Sequence, residues 1–414
     1  MSTQSQQKIG IIGHDIIGSI RGIELYENYG LTPTLILDSW IPEELDVVAV
    51  TAMSKIATPG TAYISTRKEI SRCRSRYLAF HENMYLMGNI SANIKAIIDE
   101  IQPEKLVLCT SWLEMNCYTR GAYAYFGNVK VSESIKALDA VTPIKESYLP
   151  AIVKKYTGLT PKCISLADVE RGPDTIRKII QKCNEKIIVC DATTSRHLKN
   201  VAEAIVSNKP SWVACGSGGL TRAMVPLLSG KEQEPVRTTI SNKKPILLVL
   251  GSVSDVTAVQ LATAAEKGLI YPVLVEPSDF WHREERENRI RRIACEVCRQ
   301  IVKGHNVALT STYSRFIPQF KRITANLLSS IAKIVIEECE IGAIFVKGAD
   351  TAYAFCKTME INKLETKGSI AGGLSPLLVK GYTRKGTTHW LCLLGGSSGD
   401  EMTIVNALQF LRQK

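Results

Sequence analysis

The sequence has no apolar run of the roughly 18–20 residues that a transmembrane helix requires. Its first residues, Met1 to Lys8, are polar and lack the apolar stretch of a secretory signal. Both absences predict a cytoplasmic protein with no membrane association. Aromatic residues are scarce, at 7% of the chain, and do not interleave with a stripe of one charge. A nucleic-acid partner is therefore not expected, despite a net charge of +11. The densest basic cluster, His282 to Arg299, mixes Arg283, Arg286, Arg289, Arg291 and Arg292 with Glu284, Glu285 and Glu287. Mixed signs at helical spacing describe a solvated helix face. Surplus positive charge also suits a protein whose substrates are small anions.

Cysteine is too dilute for a disulfide scaffold, at 12 in 414 residues. Cys109, Cys190, Cys215 and Cys392 sit inside apolar runs and read as small core residues. Cys295 and Cys298 form the only close pair, and a structural zinc site takes four ligands. The chain also lacks the Walker pattern GxxxxGK[ST] of a P-loop. Its first strand and turn, GIIGHDIIG from Gly10 to Gly18, do not form GxGxxG, so a dehydrogenase is disfavoured.

What remains is the composition of a globular protein: 45% hydrophobic, 22% charged and long enough for two domains. Short β-branched runs alternate with longer amphipathic ones, which predicts an α/β fold with largely parallel strands flanked by helices. Strands are expected at Ile9–Ile12, Pro33–Leu37, Val47–Thr51, Lys105–Cys109, Ile187–Asp191 and Trp212–Cys215. Between Ser229 and Lys244 the pattern lapses into GKEQEPVRTTISNKK, the best linker in the chain. The expected division is a domain over 1–230, a linker over 231–244 and a domain over 245–414. A ligand cleft is expected between the two domains. The second half starts afresh, with strands at Pro245–Leu250, Tyr271–Val275, Val307–Thr310, Ala343–Val346 and Trp390–Leu394.

Three small-residue turns in this second half each follow a buried strand and precede a helix. They are Gly251 to Thr257, Gly348 to Thr351, and Gly395 to Asp400. Glycine lets main chain approach an anion closely, and free N–H groups at a helix start point at it. Hydroxyls at Ser252, Ser254, Thr257 and Thr351 add donors, and Asp350 or Asp255 can hold Mg²⁺ beside phosphate oxygens. The alternative for each turn is that Ser254, Asp350 and Ser398 simply cap helices. In the first half, Asp15 is either a helix cap or a substrate ligand, and spacing alone does not decide. Gly216-Ser217-Gly218-Gly219 similarly either binds an anion or turns the chain.

With these motifs the chain resembles the four-carbon acid sugar kinase family over nearly its full length, most strongly in the second half. The family's Gly-Ser-x-Ser-x-x-Thr turn is matched by Gly251, Ser252, Ser254 and Thr257. Its Gly-Gly-Asp-Thr turn is matched by Gly348, Asp350 and Thr351, with Ala349 in place of the second glycine. Its last glycine-rich turn is matched by Gly396 and Gly399, with Leu394 where a lysine usually stands. Asp191, the turn from Gly216 to Leu220 and the Arg120 to Glu133 stretch are further landmarks.

The first half departs from the pattern. Ala-Asp-Asp-Leu-Thr-Gly-Ala is represented by Gly13-His14-Asp15-Ile16-Ile17-Gly18-Ser19. Asp-Ser-Thr-Leu-Arg-Gly-Asn becomes Asn83-Met84-Tyr85-Leu86-Met87-Gly88-Asn89, an expected glutamate is Asn93, and the Ser-Arg pair is Ser54-Lys55. The resemblance implies ATP and Mg²⁺ as cofactors and a tetronate-like sugar acid as the small-molecule substrate. It also allows a homo-oligomer. Nucleotide-binding residues would be Ser252, Ser254, Thr257, Gly348, Ala349, Asp350, Thr351, Gly396 and Gly399, with Asp350 on the metal. Substrate contacts would be Asp15, Ser54, Lys55, Gly88, Asn89 and Arg120, with Asp15 the catalytic base. The losses at Asn83, Met87 and Asn93 leave three explanations: a different acid sugar, a remodelled kinase, or a catalytically inactive binding paralogue.

Overall fold

A computed structural model describes residues 8–73, 77–139, 141–233, 238, 240, 242–276, 283–311, 321–370 and 375–412. The N-terminal segment 1–7, linker positions 234–237, 239 and 241, and His282 of the basic cluster lie outside the described residues. The chain divides into two compact units, Met1–Pro235 and Val236–Lys414.

In the first unit the strands are β1 (Ile9–Gly13), β2 (Thr34–Ile36), β3 (Val47–Thr51), β4 (Tyr77–His81), β5 (Lys105–Cys109), β9 (Lys162–Ile164), β10 (Ile187–Cys190) and β11 (Trp212–Gly216). A small ribbon of β6 (Cys117–Arg120), β7 (Tyr123–Phe126) and β8 (Val129–Lys130) stands apart from them. The main sheet runs β2-β3-β1-β4-β11-β5-β10-β9, with every pairing parallel. Its central strands are buried without alternation, as a parallel sheet covered on both faces demands. The helices pack as two groups. Helices α2 (Pro59–Arg72), α3 (Ile90–Ile101) and α4 (Leu149–Thr157) touch one another in series. So do α1 (Ile16–Ile23), α8 (Gly218–Ser229), α7 (Ser195–Val206) and α6 (Pro173–Lys182).

The second unit contains β12 (Ile246–Leu250), β13 (Tyr271–Leu274), β14 (Val307–Thr310), β15 (Ala343–Lys347), β16 (Ile361–Ser369), β17 (Leu377–Thr383) and β18 (Thr388–Leu394). Their order is β13-β14-β12-β15-β18-β17-β16, parallel as far as β18 and antiparallel beyond it. Helices α9 (Asp255–Glu266) and α13 (Thr403–Leu411) pack together. Helices α10 (Arg283–Val302), α11 (Lys321–Glu338) and α12 (Ala349–Thr358) form the other group. The core joins Leu248 and Leu250 of β12 with Phe345, Cys392, Leu394 and the apolar face of α13.

The α/β reading with largely parallel sheets holds in both units. Cys109, Cys190, Cys215 and Cys392 are fully buried. The sequence reading omitted β4, β9, the small ribbon and the antiparallel pair β16 and β17.

Candidate functional site

In the first unit β3 lies on one side of β1 and β4 on the other, so the chain reverses its direction of growth at β1. The crevice beyond such strand ends is where open α/β sheets receive ligands. Three segments leave the sheet there: His14 and Asp15 after β1, Met53 to Lys55 after β3, and Glu82 and Asn83 after β4.

Asp15 is the N-cap of α1, its Oδ1 accepting the Gly18 N–H at 2.7 Å. Capping occupies only one oxygen. The other, Oδ2, lies 3.3 Å from His14 Nε2 and 3.9 Å from Lys55 Nζ. Burial opposes the Asp15 charge, but His14, Lys55 and the Gly18 N–H outweigh it and hold the carboxyl far below its ordinary range. His14 is buried too, and the Asp15 carboxylate beside it overcomes desolvation and raises its pKa. Its ring stacks on His81 with centroids 6.0 Å apart. Desolvation and the His14 charge push His81 down to about 3.

Glu82 was not among the expected site residues. It is 3% exposed, and burial pushes it up to about 7. Its Oε1 accepts from Asn93 Nδ2 at 2.8 Å, while Oε2 has no hydrogen-bond partner among the described residues. Asn93 also donates to Ser54 Oγ at 3.1 Å and accepts from Thr66 Oγ1 at 3.1 Å. The acid missing at Asn93 is thus supplied next to it, by Glu82. Asn83 is equally employed: its Oδ1 accepts from the backbone of Tyr85 (2.9 Å) and Met87 (3.4 Å), shaping the loop. Met87 packs into the core.

A folded-state pKa above the unfolded value means that the stabilising contribution of Glu82 is complete below about pH 4.5 and lost as pH rises through about 7. The Glu82→Gln variant removes that term. Relative to the parent, it should gain on the order of 2 kcal/mol between pH 5 and pH 8 in urea unfolding. A difference that stays flat with pH assigns the titration to another group.

Lys55, Gly88 and Asn89 come together in the fold. They line a pocket of about 220 Å³ with Ile56, Ala57, Leu86, Val141, Thr142 and Pro143. Lys55 is the only charged side chain in this lining. Asn89 Nδ2 holds the loop by donating to the carbonyls of Ser54 and Ala57, both at 2.7 Å. Asp139 fixes the opposite wall, its Oδ1 accepting from Val141 N, Thr142 N and Thr142 Oγ1. Ser54 is fully buried behind the pocket. Arg120 is not in the lining. It ends β6, exposed, over the Tyr125 ring at 5.2 Å. Asp191 latches the hairpin that follows, accepting from Gly121 N (2.7 Å) and Ala122 N (2.9 Å).

In the second unit β12, β15 and β18 are neighbours, so the three small-residue turns emerge side by side. The first and third of them meet at one atom. The Gly396 carbonyl accepts from Ser254 Oγ (2.8 Å), Thr257 Oγ1 (2.9 Å) and Ser252 Oγ (3.3 Å). The hydroxyls of Ser252, Ser254 and Thr257, expected to face phosphate, therefore hold the first and third turns to each other. A Cβ at Gly251 would lie 2.2 Å from Thr351 Oγ1, and one at Gly396 would lie 2.8 Å from Ser252 Oγ. The turns touch closely enough that a side chain at either position would part them.

Ser254 is indeed the N-cap of α9, accepting from Thr257 N. Asp350 and Ser398 are not N-caps: Gly348 caps α12, with Asp350 in its first turn, and Met402 caps α13. Ala349 is the first residue of α12 and has no positive φ, so the missing second glycine imposes no backbone strain. Gly399, with φ +87°, closes the third turn. Leu394 pairs in register with Lys347 of β15, so a lysine reaches this turn from the adjacent strand.

Residues 9–224 match the family description of a sugar-binding N-terminal domain, and residues 247–404 that of a nucleotide-binding C-terminal domain. Over 402 residues the chain is 22% identical to the D-erythronate kinase of Heliobacterium modesticaldum, covering 89% of this chain and 88% of that one. It is 21% identical over 386 residues to the D-threonate kinase of Bordetella bronchiseptica, covering 90% and 87%. A solved Haemophilus influenzae protein shares the fold, with a TM-score of 0.73 at 17% identity over 97% of this chain and 100% of the other.

Proposed function

The chain belongs to the four-carbon acid sugar kinase family, and we propose that it transfers the γ-phosphate of ATP to a hydroxyl of a small four-carbon sugar acid. The observation that carries this reading is the meeting of the first and third turns at the Gly396 carbonyl, with Thr351 of the second turn close against Gly251, at the ends of adjacent strands. Two helix starts, those of α9 and α12, flank the same point and favour negative charge. The residues present fit Mg²⁺-ATP, which supplies the transferable phosphoryl group. Among the described residues no cluster of three or more His, Cys, Asp or Glu could hold a metal alone. Mg²⁺ characteristically takes one or two carboxylates plus phosphate oxygens, and Asp350 supplies such a carboxylate.

In the first unit Lys55 meets the substrate carboxylate in its otherwise uncharged pocket. Asp15, held ionised, accepts the hydroxyl that becomes the nucleophile and orients it. Phosphoryl transfer through a loose transition state asks chiefly for such orientation and for charge stabilisation. Transfer also requires that the acceptor hydroxyl and the nucleotide be brought together with water excluded.

ADP release over a panel of four-carbon sugar acids, beside calorimetry with Mg²⁺-ATP, tests the reading. Turnover on at least one acid is expected. Nucleotide binding with no turnover on any acid indicates the inactive paralogue instead. Asp350→Ala is expected to weaken Mg²⁺-dependent ATP binding by about tenfold with the fold intact. Unchanged affinity would make Asp350 a helix-start residue only.

A further inference from the structure

Lys347 closes β15 with a side chain that is entirely buried and joins no ion pair among the described residues. In register with it stand Leu250 of β12 on one side and Leu394 of β18 on the other. The titratable groups on neighbouring segments are Asp255 at the start of α9, Asp350 in the first turn of α12, and Asp400 beyond the third turn. None of them pairs with the lysine. Its Nζ donates instead to two main-chain carbonyls, Ser398 O at 3.0 Å and Gly395 O at 3.3 Å. These bonds bracket Gly396, whose own carbonyl takes the hydroxyls of Ser252, Ser254 and Thr257. The third turn is thus gripped by one amine, three hydroxyls and the Gln260 amide, which donates to Ser398 O and Asp400 O.

A buried lysine with no counter-ion is an unfavourable arrangement, and desolvation pushes its pKa down to about 7. An anion bound beside this turn would supply the charge that the neighbouring segments do not. We propose that Lys347 is a positioning residue for nucleotide: it holds the Gly395–Ser398 turn in the shape that meets the polyphosphate, and it takes up a proton as that anion binds. This rests on the reading of the second unit as the ATP site.

The experiment is calorimetric titration of the full-length chain with Mg²⁺-ATP at pH 8, in buffers of different ionisation enthalpy. At pH 8 the γ-phosphate is itself ionised, so uptake reports on the protein. Binding to the parent should take up most of one proton, about 0.9 if the bound amine is fully charged. Lys347→Met should abolish uptake and raise the KM for ATP about tenfold or more, with the KM for the acid unchanged. Its thermal stability should hold or rise, because a buried amine that is costly to charge is replaced by an apolar chain of similar length. A lysine needed only for folding predicts lower stability instead and parallel losses for both substrates.

ATP binding to the parent without proton uptake overturns the proposal and leaves the kinase reading standing. Uptake that persists in Lys347→Met overturns it as well, as does an unaltered KM for ATP. If the parent binds no nucleotide at all, both readings fall together.

Discussion

Replacing Asp15 with asparagine is expected to lower kcat by about 10²-fold or more, the cost of losing the charged group that orients the attacking hydroxyl. The substitution separates chemistry from folding. Asparagine caps helices about as well as aspartate, so the bond from Gly18 N to the side chain at the start of α1 can be kept. What disappears is the charge on Oδ2, which faces His14 Nε2 and Lys55 Nζ. Because those cations hold the carboxyl ionised, removing it also weakens the fold, by on the order of 1–2 kcal/mol. With stabilities of roughly 5–15 kcal/mol typical of folded domains, such a loss leaves almost every molecule folded. It cannot account for a hundredfold fall in turnover. Steady-state kinetics beside a urea melt decides the matter: kcat within threefold of the parent would remove Asp15 from the chemistry.

The second large effect is on stability. Gly216 ends β11, paired with Cys109 of β5 and His81 of β4. A Cβ added there would lie 2.1 Å from the Cys109 carbonyl oxygen, which is backbone and belongs to a strand enclosed on both sides. No rotamer relieves that contact, so the strands must part. Gly216→Ala is therefore expected to destabilise by about 3 kcal/mol or more, the upper part of the overpacking range. In a unit of this size that corresponds to roughly 6–12 °C in Tm. The strain does not stay local, because Glu82 N donates to Gly216 O at 2.7 Å. Affinity for the sugar acid should fall along with Tm. A melting curve within 2 °C of the parent would show that the sheet accommodates the methyl.

Much of this architecture was legible from hydrophobic pattern because parallel strands covered on both faces are uninterrupted apolar runs. Val47–Thr51, Lys105–Cys109 and Val307–Thr310 appear with the bounds their composition suggested. The strands that escaped notice are of another kind. β16 reads INKLETKGS, with Lys363, Glu365 and Lys367 half-buried and Leu364 and Thr366 buried between them, the mark of an antiparallel strand with one wet face. β4, YLAFH, ends in a histidine and mixes two aromatic residues into a short run. Missing it hid Glu82, because a carboxylate signals a site only when a strand is known to end beside it.

Lys347 was hidden for a related reason. A lysine at the end of AIFV looks like the first solvated residue after a strand, and its burial depends on turns more than forty residues further on. By contrast, Asp15, Lys55, Gly88 and Asn89 were picked out by their likeness to a family pattern. The departures at Asn83 and Asn93 looked like lost contacts in the sequence. In the fold they are neutral side chains that hold a loop and orient a neighbouring acid.

The meeting of Ser252, Ser254 and Thr257 at a single oxygen has a consequence for how this region tolerates change. A carbonyl oxygen has two lone pairs, so three donors compete for it and a surplus is built in. Alanine at Ser252 or Thr257 alone would rank that hydroxyl as nearly dispensable, whereas Ser254 also caps α9 and would not be silent. Their joint importance would emerge only as non-additivity when two are removed together.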